Sequence, residues 1–435
     1  MFGWEFPPHI SGGLGTACYG ISTALLSEGI RVLFVAPTSS GDEEIQIINA
    51  SKVAVETSGK RSSHSTTPAL KPRVDIRVAS GLKPYTSVES IYSSKLEDWT
   101  YIIGESGEPG SARRYSFRGG YGPGLMEEVS RYAEVATTIA REQEFDVVHA
   151  HDWLTFPAGI AAARASSRPL VVHVHATEYD RAGDGQVNPD VFEIEQTGML
   201  EADAIVAVSK LTKDIIVSRY DIPEAKVHVV HNGVHPEPPQ AQASLPKAFD
   251  NVITFLGRIT VQKGPQYFLQ AASKVLGRFP DVHFVMAGSG DLLPSMINLA
   301  ADLNISSRVH FTGFLNSPLI GRLWSITDVY VMPSMSEPFG ITPLEAIQAG
   351  VPAILSKQSG VAEILDNVIK VDFWDVDALA SAMVSILEHK SLSQALAKSA
   401  LHEVKGISWN KAAKKITTLY DEVIAKSSRF APAVY

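Results

Sequence analysis

Residues 332–350 read Met-Pro-Ser-Met-Ser-Glu-Pro-Phe-Gly-Ile-Thr-Pro-Leu-Glu-Ala-Ile-Gln-Ala-Gly. Their order predicts a buried strand over Val329–Ser334, a loop that carries Glu337, and a helix with Thr342 at its cap and Pro343 in its first turn. A strand, a loop and a helix in this order form the repeating unit of an α/β fold.

The same unit recurs outward from this segment through the second half of the chain. Further short apolar runs predict strands at Asn251–Leu256, His283–Ala287, Val309–Phe314, Ala353–Leu355 and near Ile369. Helices are predicted to begin near Pro265, Leu292, Pro318, Pro343, Val361 and Asp377, and a last helix to cover Trp409–Lys426. The runs are almost continuously apolar, which is typical of parallel strands buried on both faces.

The first half of the chain shows the same alternation. Its predicted strands are Arg31–Pro37, Asp146–Asp152, Leu170–Ala176, Ala204–Ser209 and Val227–Gly233. Its predicted helices are Leu14–Glu28, Leu125–Glu142, Thr155–Ala165, Val191–Glu201 and Lys210–Arg219. Few residues precede the glycine-rich turn at Gly12, so we expect a short first strand.

The fold class is therefore α/β, with two doubly wound domains that face a central cleft. We place the first domain at residues 1–238 and the second at 248–414, joined by the Pro-rich linker Val234–Pro246. We expect the C-terminal helix, 415–435, to pack back on the first domain. The polar run Thr57–Lys71 is interpreted as an insertion in the first domain.

Charge and composition exclude several classes of protein. The chain of 435 residues has 38 Lys and Arg against 47 Asp and Glu, a net charge of −9, whereas nucleic-acid binders are normally basic. No apolar run reaches the roughly 18 residues of a membrane helix. The single cysteine, Cys18, suits a reducing compartment. We expect no nucleic acid, no integral membrane segment and a cytoplasmic location.

A loop with two cations follows the first strand of the second half. Residues 257–265 read Gly-Arg-Ile-Thr-Val-Gln-Lys-Gly-Pro, which puts Arg258 and Lys263 just before a helix that starts at Pro265. Glycines allow close backbone approach and a helix N-terminus favours an anion, so the loop predicts a diphosphate site. The alternative is two solvated basic residues on a surface loop.

Two carboxylates, Glu337 and Glu345, stand eight residues apart at the start of a predicted helix. A carboxylate can accept hydrogen bonds from two neighbouring hydroxyls, so this pair is suited to sugars. Each residue also has a structural interpretation. Thr342-x-x-Glu345 matches a capping box, and Glu337 could be a solvated loop residue.

Histidines recur at the ends of two predicted strands. His149 and His151 share one strand face, as do His173 and His175, so a metal pair is geometrically possible. No third ligand with typical metal spacing is visible. Asp375-Val-Asp377 resembles an Asp-x-Asp metal motif, but Asp377 is interpreted as a helix cap. We therefore predict no metal and no cofactor.

These segments together resemble the retaining GT-B glycosyltransferases of family 4, including glycogen and starch synthases. The resemblance rests on Glu337-x7-Glu345, on the loop at 257–265, on the Trp-Glu-Phe-Pro-Pro and Ser-Gly-Gly-Leu-Gly runs at 4–8 and 11–15, and on His-Ala-His-Asp-Trp at 149–153. His-Asn-Gly-Val at 231–234 matches the end of the family's first domain. The resemblance implies a GT-B fold of two Rossmann-like domains and covers most of the chain except about 39–115.

The resemblance also implies roles for individual residues. Arg258 and Lys263 would bind the donor diphosphate, Glu345 the ribose hydroxyls and Glu337 the hydroxyls of the transferred sugar. His151 would lie near the anomeric carbon. The other substrate-binding positions are Gly12, Gly13, Gly313, Phe314, Gly340, Ile341 and Thr342.

The implied reaction moves a hexose, expected to be glucose, from ADP- or UDP-glucose to an α-glucan. Some glycogen synthases have Lys-Thr-Gly-Gly-Leu where this chain has Ile10-Ser11-Gly-Gly-Leu. A sugar phosphate, a lipid-linked sugar or a surface glycan therefore stays open as the acceptor.

Three other functions fit the sequence less well. A glucan phosphorylase shares the fold but needs a pyridoxal-phosphate lysine, and Lys357 lacks the expected neighbours. A dinucleotide dehydrogenase needs Gly-x-Gly-x-x-Gly, which residues 12–15 do not complete. A catalytically inactive sugar-binding protein is disfavoured because both cations and both carboxylates are present.

Overall fold

The computed structural model describes residues 1–8, 12–39, 41, 43–56, 112–122, 124–183, 185–235 and 249–429. Within these ranges the chain forms two parallel α/β sheets, as the sequence predicts. The insertion predicted at Thr57–Lys71 lies outside the described residues. The domain bounds at 238 and 248 also fall there and stay predictions.

The first sheet is parallel throughout, and the N-terminal residues of the chain lie in its middle. Its strands are β1 (Phe34–Ala36), β2 (Ile47–Asn49), β5 (Val148–His151), β6 (Leu170–Val174), β7 (Ala204–Ala207) and β8 (Val227–Val229). Phe2 bridges Val35 of β1 and Ala150 of β5, so the sheet runs β2-β1-Phe2-β5-β6-β7-β8. A separate antiparallel pair joins β3 (Val55–Glu56) to β4 (Ala112–Arg113).

Helices cover both faces of the first sheet. They are α1 (Gly13–Ser27), α2 (Leu125–Glu142), α3 (Phe156–Ser166), α4 (Glu178–Ala182), α5 (Pro189–Glu201) and α6 (Lys210–Arg219). Successive strand residues serve opposite faces, so Val172 packs in the core with α2, α3 and α5 while Val171 packs with α1. The first sheet is thus buried on both sides.

The second sheet has six parallel strands in the order β11-β10-β9-β12-β13-β14. They are β9 (Val252–Leu256), β10 (His283–Ala287), β11 (Val309–Gly313), β12 (Val329–Met332), β13 (Ala353–Ser356) and β14 (Ile369–Val371). The helices around this sheet are α7 (Pro265–Leu276), α8 (Leu293–Asp302), α9 (Ser317–Ile326), α10 (Thr342–Gln348), α11 (Val376–Glu388) and α12 (Lys390–Val404).

The last helix, α13 (Trp409–Arg429), returns to the first sheet. Its buried side chains Trp409, Ala413 and Ile416 share one apolar core with Ala17 and Ile21 of α1. Helix α13 therefore packs against the first sheet although it follows the second sheet in the sequence.

Two local expectations for the second half are wrong, and one helix was missed. The helix predicted near Val361 is a single 3-10 turn, Gly360–Glu363. Asp375, not Asp377, caps α11, because the Asp375 carboxylate accepts a hydrogen bond from the amide of Ala378 at 2.9 Å. Asp377 instead lies 2.7 Å from the Nζ atom of Lys274. The helix α12 was not anticipated.

Candidate active site

Lys263 and Glu337 lie on loops that follow two adjacent strands, β9 and β12. The Nζ atom of Lys263 is 2.5 Å from Oε2 of Glu337, and the Ser334 hydroxyl donates to the same oxygen at 3.2 Å. Glu337 is only 7% exposed. Ionised groups in such a position need a partner, so this pair joins the two loops at the carboxyl edge of the sheet.

Gly264 brings the cationic loop against the loop after β12. Its φ is +61°, and a Cβ atom built there would lie 2.2 Å from the carbonyl oxygen of Pro333. Only glycine fits this approach. Pro265 then starts α7, whose first turn contains no acidic residue. The N-terminus of α7 therefore offers an anion-binding position beside Lys263.

Glu345 lies in the first turn of α10, but it does not close the predicted capping box. The cap is Ile341, which has no side-chain hydrogen bond to the helix, and Thr342 is already inside the helix. That interpretation is wrong because the helix begins one residue earlier than expected. Among the described residues, none donates a hydrogen bond to the Glu345 carboxylate.

Burial raises the pKa of Glu345 to about 7. The backbone between the two carboxylates is tightly shaped, since Gly340 has a φ of +101° and an added Cβ would lie 3.3 Å from Cγ of Glu337. Gly340, Ile341 and Thr342 thus connect a paired carboxylate to one that has no partner among the described residues.

Gly313 and Phe314 follow the edge strand β11. Gly313 has a φ of +71°, and the Phe314 side chain is 64% exposed. An exposed aromatic ring at the carboxyl edge of a sheet is a surface on which a planar group can stack. The position does not contact Lys263 or Glu337 directly, since β10 separates β11 from β9.

Gly12 and Gly13 lie at the corresponding edge of the first sheet. Gly12 is the cap of α1 and Gly13 its first residue, and the first turn has no acidic side chain. A Cβ atom added at either glycine would meet no atom of the described residues within 4 Å. The N-terminus of α1 favours a negative charge near it.

His151 ends β5 and is fully buried. Its Nδ1 atom is 3.0 Å from Nε2 of His175. The next residue, Asp152, has a φ of +61°, and its carboxylate accepts hydrogen bonds from the amides of His175 at 2.6 Å and Ala176 at 3.3 Å. Asp152 thus ties the end of β5 to the loop that follows β6.

Parallel pairing of β5 with β6 sets His173 beside His151. The fold thereby supplies the third ligand that sequence spacing lacked, and atoms of His149, His151 and His173 lie within 4.8 Å of one another. Burial lowers the pKa of all three well below its usual value, so they are neutral. Neutral imidazoles are the form that binds metals.

The orientation of these rings, however, does not suit a metal ion. The planes of His149 and His173 differ by 5° and those of His151 and His173 by 27°, with ring centroids 5.4 and 5.2 Å apart. Imidazole lone pairs lie in the ring plane, so stacked rings point them side by side rather than at one tetrahedral centre. The cluster is a stack of buried neutral histidines.

The edges of the two sheets face one another across a set of polar contacts. The Ser336 hydroxyl donates to Oδ1 of Asp180 at 2.5 Å. The Glu363 carboxylate accepts from the amides of Lys210 at 2.9 Å and Leu211 at 2.7 Å, at the start of α6. The residues beside Glu337 therefore lie opposite α4, and Glu363 lies opposite the start of α6.

Sequence reasoning missed Asp152, Asp180 and Ser336. One signal was available for Asp180, because Thr177-x-x-Asp180 has the spacing of a reciprocal cap, and the structure contains that cap. Nothing in the sequence indicates that Asp180 meets Ser336, which is 156 residues away.

Two family profiles match consecutive parts of the chain. The profile described as Glycosyltransferase Family 4 matches residues 105–238, and that described as Glycosyl transferases group 1 matches residues 237–403. Together they span most of both sheets. The chain therefore belongs to the family 4-like GT-B glycosyltransferases and is a transferase enzyme.

Individual proteins agree with this assignment. An uncharacterized glycosyltransferase of Methanocaldococcus jannaschii is 26% identical, over 97% of this chain and 97% of the relative. A glycogen synthase of Mycobacterium tuberculosis is 26% identical, over 97% of this chain and 93% of the relative. The fold matches that of sucrose-phosphate synthase from Thermosynechococcus elongatus with a TM-score of 0.67, at 17% identity over 96% and 94% of the two chains.

The stacked histidines generate a prediction about metals. We expect sugar transfer to persist in excess EDTA, because the fixed cations Arg258 and Lys263 and two helix N-termini can stabilise a departing diphosphate. Nucleotide release with and without EDTA, beside elemental analysis of the purified protein, measures this. Loss of activity that Mg²⁺ or Mn²⁺ restores would show that the histidine stack or Asp375 and Asp377 were misjudged.

The environment of Glu345 generates a second prediction. At pH 8 we expect Glu345→Gln to raise the donor dissociation constant about tenfold or more, since hydrogen bonds to a charged group are worth about 1.5–3 kcal/mol. The effect should shrink towards pH 6, where wild-type Glu345 is largely protonated. Isothermal titration with the donor nucleotide at both pH values measures it.

Thermal stability provides the control for this variant. The folded-state pKa of Glu345 is raised above its unfolded value of 4.5 to about 7, so the folded chain loses stability as pH rises between them. Glutamine removes that loss, and the melting temperature at pH 8 should not fall. A donor constant equal to that of the wild type at pH 8 would refute a role in donor binding.

Proposed function

We propose that the protein is a retaining glycosyltransferase that moves glucose from ADP- or UDP-glucose to an α-glucan. The observation that carries the proposal is the Lys263–Glu337 pair at the N-terminus of α7, with Glu345 unpartnered among the described residues nearby. A cation beside a helix N-terminus suits a diphosphate, and carboxylates suit ribose and sugar hydroxyls.

In this proposal the Lys263–Glu337 pair opens when the donor binds. Lys263 turns towards the diphosphate, and Glu337 is released to accept hydrogen bonds from the sugar hydroxyls. Glu345 accepts from the ribose, and Phe314 stacks on the base. Arg258, Gly12 and Gly13 add positive potential around the phosphates and the sugar.

The chemical step exchanges one glycosidic bond for another. The bond between the anomeric carbon and the phosphate oxygen breaks, and the acceptor hydroxyl oxygen bonds to the same face of that carbon. The departing phosphate oxygen takes the acceptor's proton, which leaves a nucleoside diphosphate. Lys263 and Arg258 stabilise the charge that develops on the leaving group. No metal or other cofactor takes part in the proposed step.

His151 contributes in this scheme from the opposite edge of the cleft. It lies at the end of β5 on the first sheet, and burial keeps it neutral. A neutral imidazole can hydrogen-bond the hydroxyl of the transferred sugar without adding positive charge beside an oxocarbenium-like carbon.

The α-glucan acceptor is supported by the glycogen synthase relative, which aligns along nearly the whole of both chains. A sugar phosphate is the alternative that the likeness to a sucrose-phosphate synthase favours. Among the described residues, no helix has the length and apolar character needed to cross a membrane. A cytoplasmic location is part of the proposal and rests on the lone, buried Cys18.

A panel of donors and acceptors tests the proposal directly. We expect nucleoside diphosphate release from ADP- or UDP-glucose to rise at least about tenfold when glycogen is added, with growth of the glucan seen by mass spectrometry. If a sugar phosphate stimulates release and glycogen does not, the acceptor is a sugar phosphate and not an α-glucan. If the protein binds sugars but releases no nucleoside diphosphate from any donor, it is a sugar-binding protein and not a transferase.

Lys263→Ala tests the leaving-group role. We expect kcat to fall about 10²–10³-fold, the usual loss when one electrostatic contact to a developing charge is removed. Lys263→Gln separates charge from packing, because its amide can still donate to Glu337, and it should be almost as inactive.

Lys274→Ala is the matched control. Lys274 lies on the same helix α7 but forms an exposed pair with Asp377, and such pairs contribute little. It should keep wild-type turnover. If folded Lys263→Ala protein keeps a near wild-type kcat, Lys263 does not stabilise the diphosphate leaving group.

A further inference from the structure

The short helix α4 leaves the first sheet and reaches the loops of the second. Its cap is Thr177, whose side chain accepts from the amide of Asp180, while Oδ2 of Asp180 accepts from the Thr177 amide at 2.7 Å and hydroxyl at 2.8 Å. One carboxylate oxygen of Asp180 is therefore occupied inside α4.

The second oxygen of Asp180 leaves α4 and contacts the opposite sheet. Oδ1 accepts from the Ser336 hydroxyl at 2.5 Å, and Asp180 is completely buried. A hydrogen bond to an ionised acceptor is about twice as strong as one between neutral groups. Ser336 directly precedes Glu337, so this bond fixes the backbone next to the carboxylate that pairs with Lys263.

The end of α4 also lies against the loops that follow β9 and β12. A Cβ atom added at Gly183 would be 3.2 Å from Cγ1 of Val261 and 3.9 Å from Cε of Met335. Those loops are themselves joined, because the amide of Met335 donates to the carbonyl of Gln262 at 2.9 Å. A shift of α4 would therefore move two loops together, the loop that carries Lys263 and the loop that carries Glu337.

The base of α4 is held firmly on the first sheet. Arg181 pairs with both Glu178, at 3.0 Å, and Glu195, and all three side chains are buried. Asp152 holds the amides of the two residues that precede Thr177. Because α4 is anchored in this way, the bond from Ser336 to Asp180 holds the loop after β12 in a fixed position relative to the first sheet.

We propose that the Asp180–Ser336 hydrogen bond is a latch that positions Glu337 and Lys263 only when the two sheets are closed on each other. Asp180 and Ser336 are positioning residues, since they act on the donor through Glu337. The latch rests on the proposed function. It makes donor cleavage depend on closure, which excludes water and limits hydrolysis of the donor.

Ser336→Ala tests the latch, because it removes the Asp180–Ser336 bond and leaves both the Thr177–Asp180 cap and the Glu363 bonds to α6 in place. We expect kcat/KM for the donor to fall about tenfold or more, as for other hydrogen bonds to charged groups. The ratio of donor hydrolysis to transfer should rise several-fold, with the acceptor KM and the melting temperature nearly unchanged. Ser336→Thr keeps the hydroxyl and should recover donor kinetics.

Three further variants separate positioning from folding. Ser385→Ala removes a serine hydroxyl that donates within α11, to the Ser381 carbonyl at 2.8 Å, and it should behave as wild type. Asp180→Asn can accept from Thr177 and donate to Ser336, so it should retain more activity than Asp180→Ala. Asp180→Ala loses the cap as well and should melt at a lower temperature.

The outcomes distinguish the latch from the function on which it rests. Wild-type donor kinetics in Ser336→Ala, with Lys263→Ala inactive, would overturn the latch and leave the proposed function standing. A lower melting temperature with unchanged donor kinetics and an unchanged hydrolysis ratio would make the bond purely structural. Failure of the wild-type protein to release nucleotide from any donor would overturn both.

Discussion

The ion pair between Lys263 and Glu337 is the contact on which the site depends. It exists because β9 and β12 are parallel neighbours, so the loops after them emerge at one edge of the sheet. The pair draws both loops together, and Gly264 permits the approach that this requires. The N-terminus of α7 and the segment that leads to Glu345 are placed by the same two loops.

Much of this arrangement could be predicted because buried parallel strands have a strong sequence pattern. The strand His283–Ala287 and the helix Lys210–Arg219 were predicted to the residue, since each has clear apolar bounds. Residues directly after such strands must lie at the carboxyl edge, which is where Lys263 and Glu337 are found. Their roles towards a ligand stay proposals.

The parts that could not be predicted depend on contacts between distant segments. Phe2 completes the first sheet, because it exchanges hydrogen bonds with His149 and His151 of β5 while its neighbours Met1 and Gly3 bond to Val35 of β1. So short a run has no periodicity. His173 joins His149 and His151 only through the register of β5 and β6. The Thr342–Glu345 spacing matched a capping box, yet tertiary packing starts α10 at a different residue.

Binding of the proposed donor would change the partners of the two carboxylates, Glu337 and Glu345. Raising the pKa of Glu345 from 4.5 to about 7 means that its ionisation costs about 3 kcal/mol more in the folded chain than in water. Glu337, by contrast, is paired with Lys263 and also accepts a hydrogen bond from the Ser334 hydroxyl. On the proposed function, the donor supplies ribose hydroxyls to Glu345 and sugar hydroxyls to Glu337 while its diphosphate takes Lys263. The unliganded site would then hold one carboxylate with no partner among the described residues and one ion pair that opens, and donor binding would supply hydrogen bonds to both carboxylates at once.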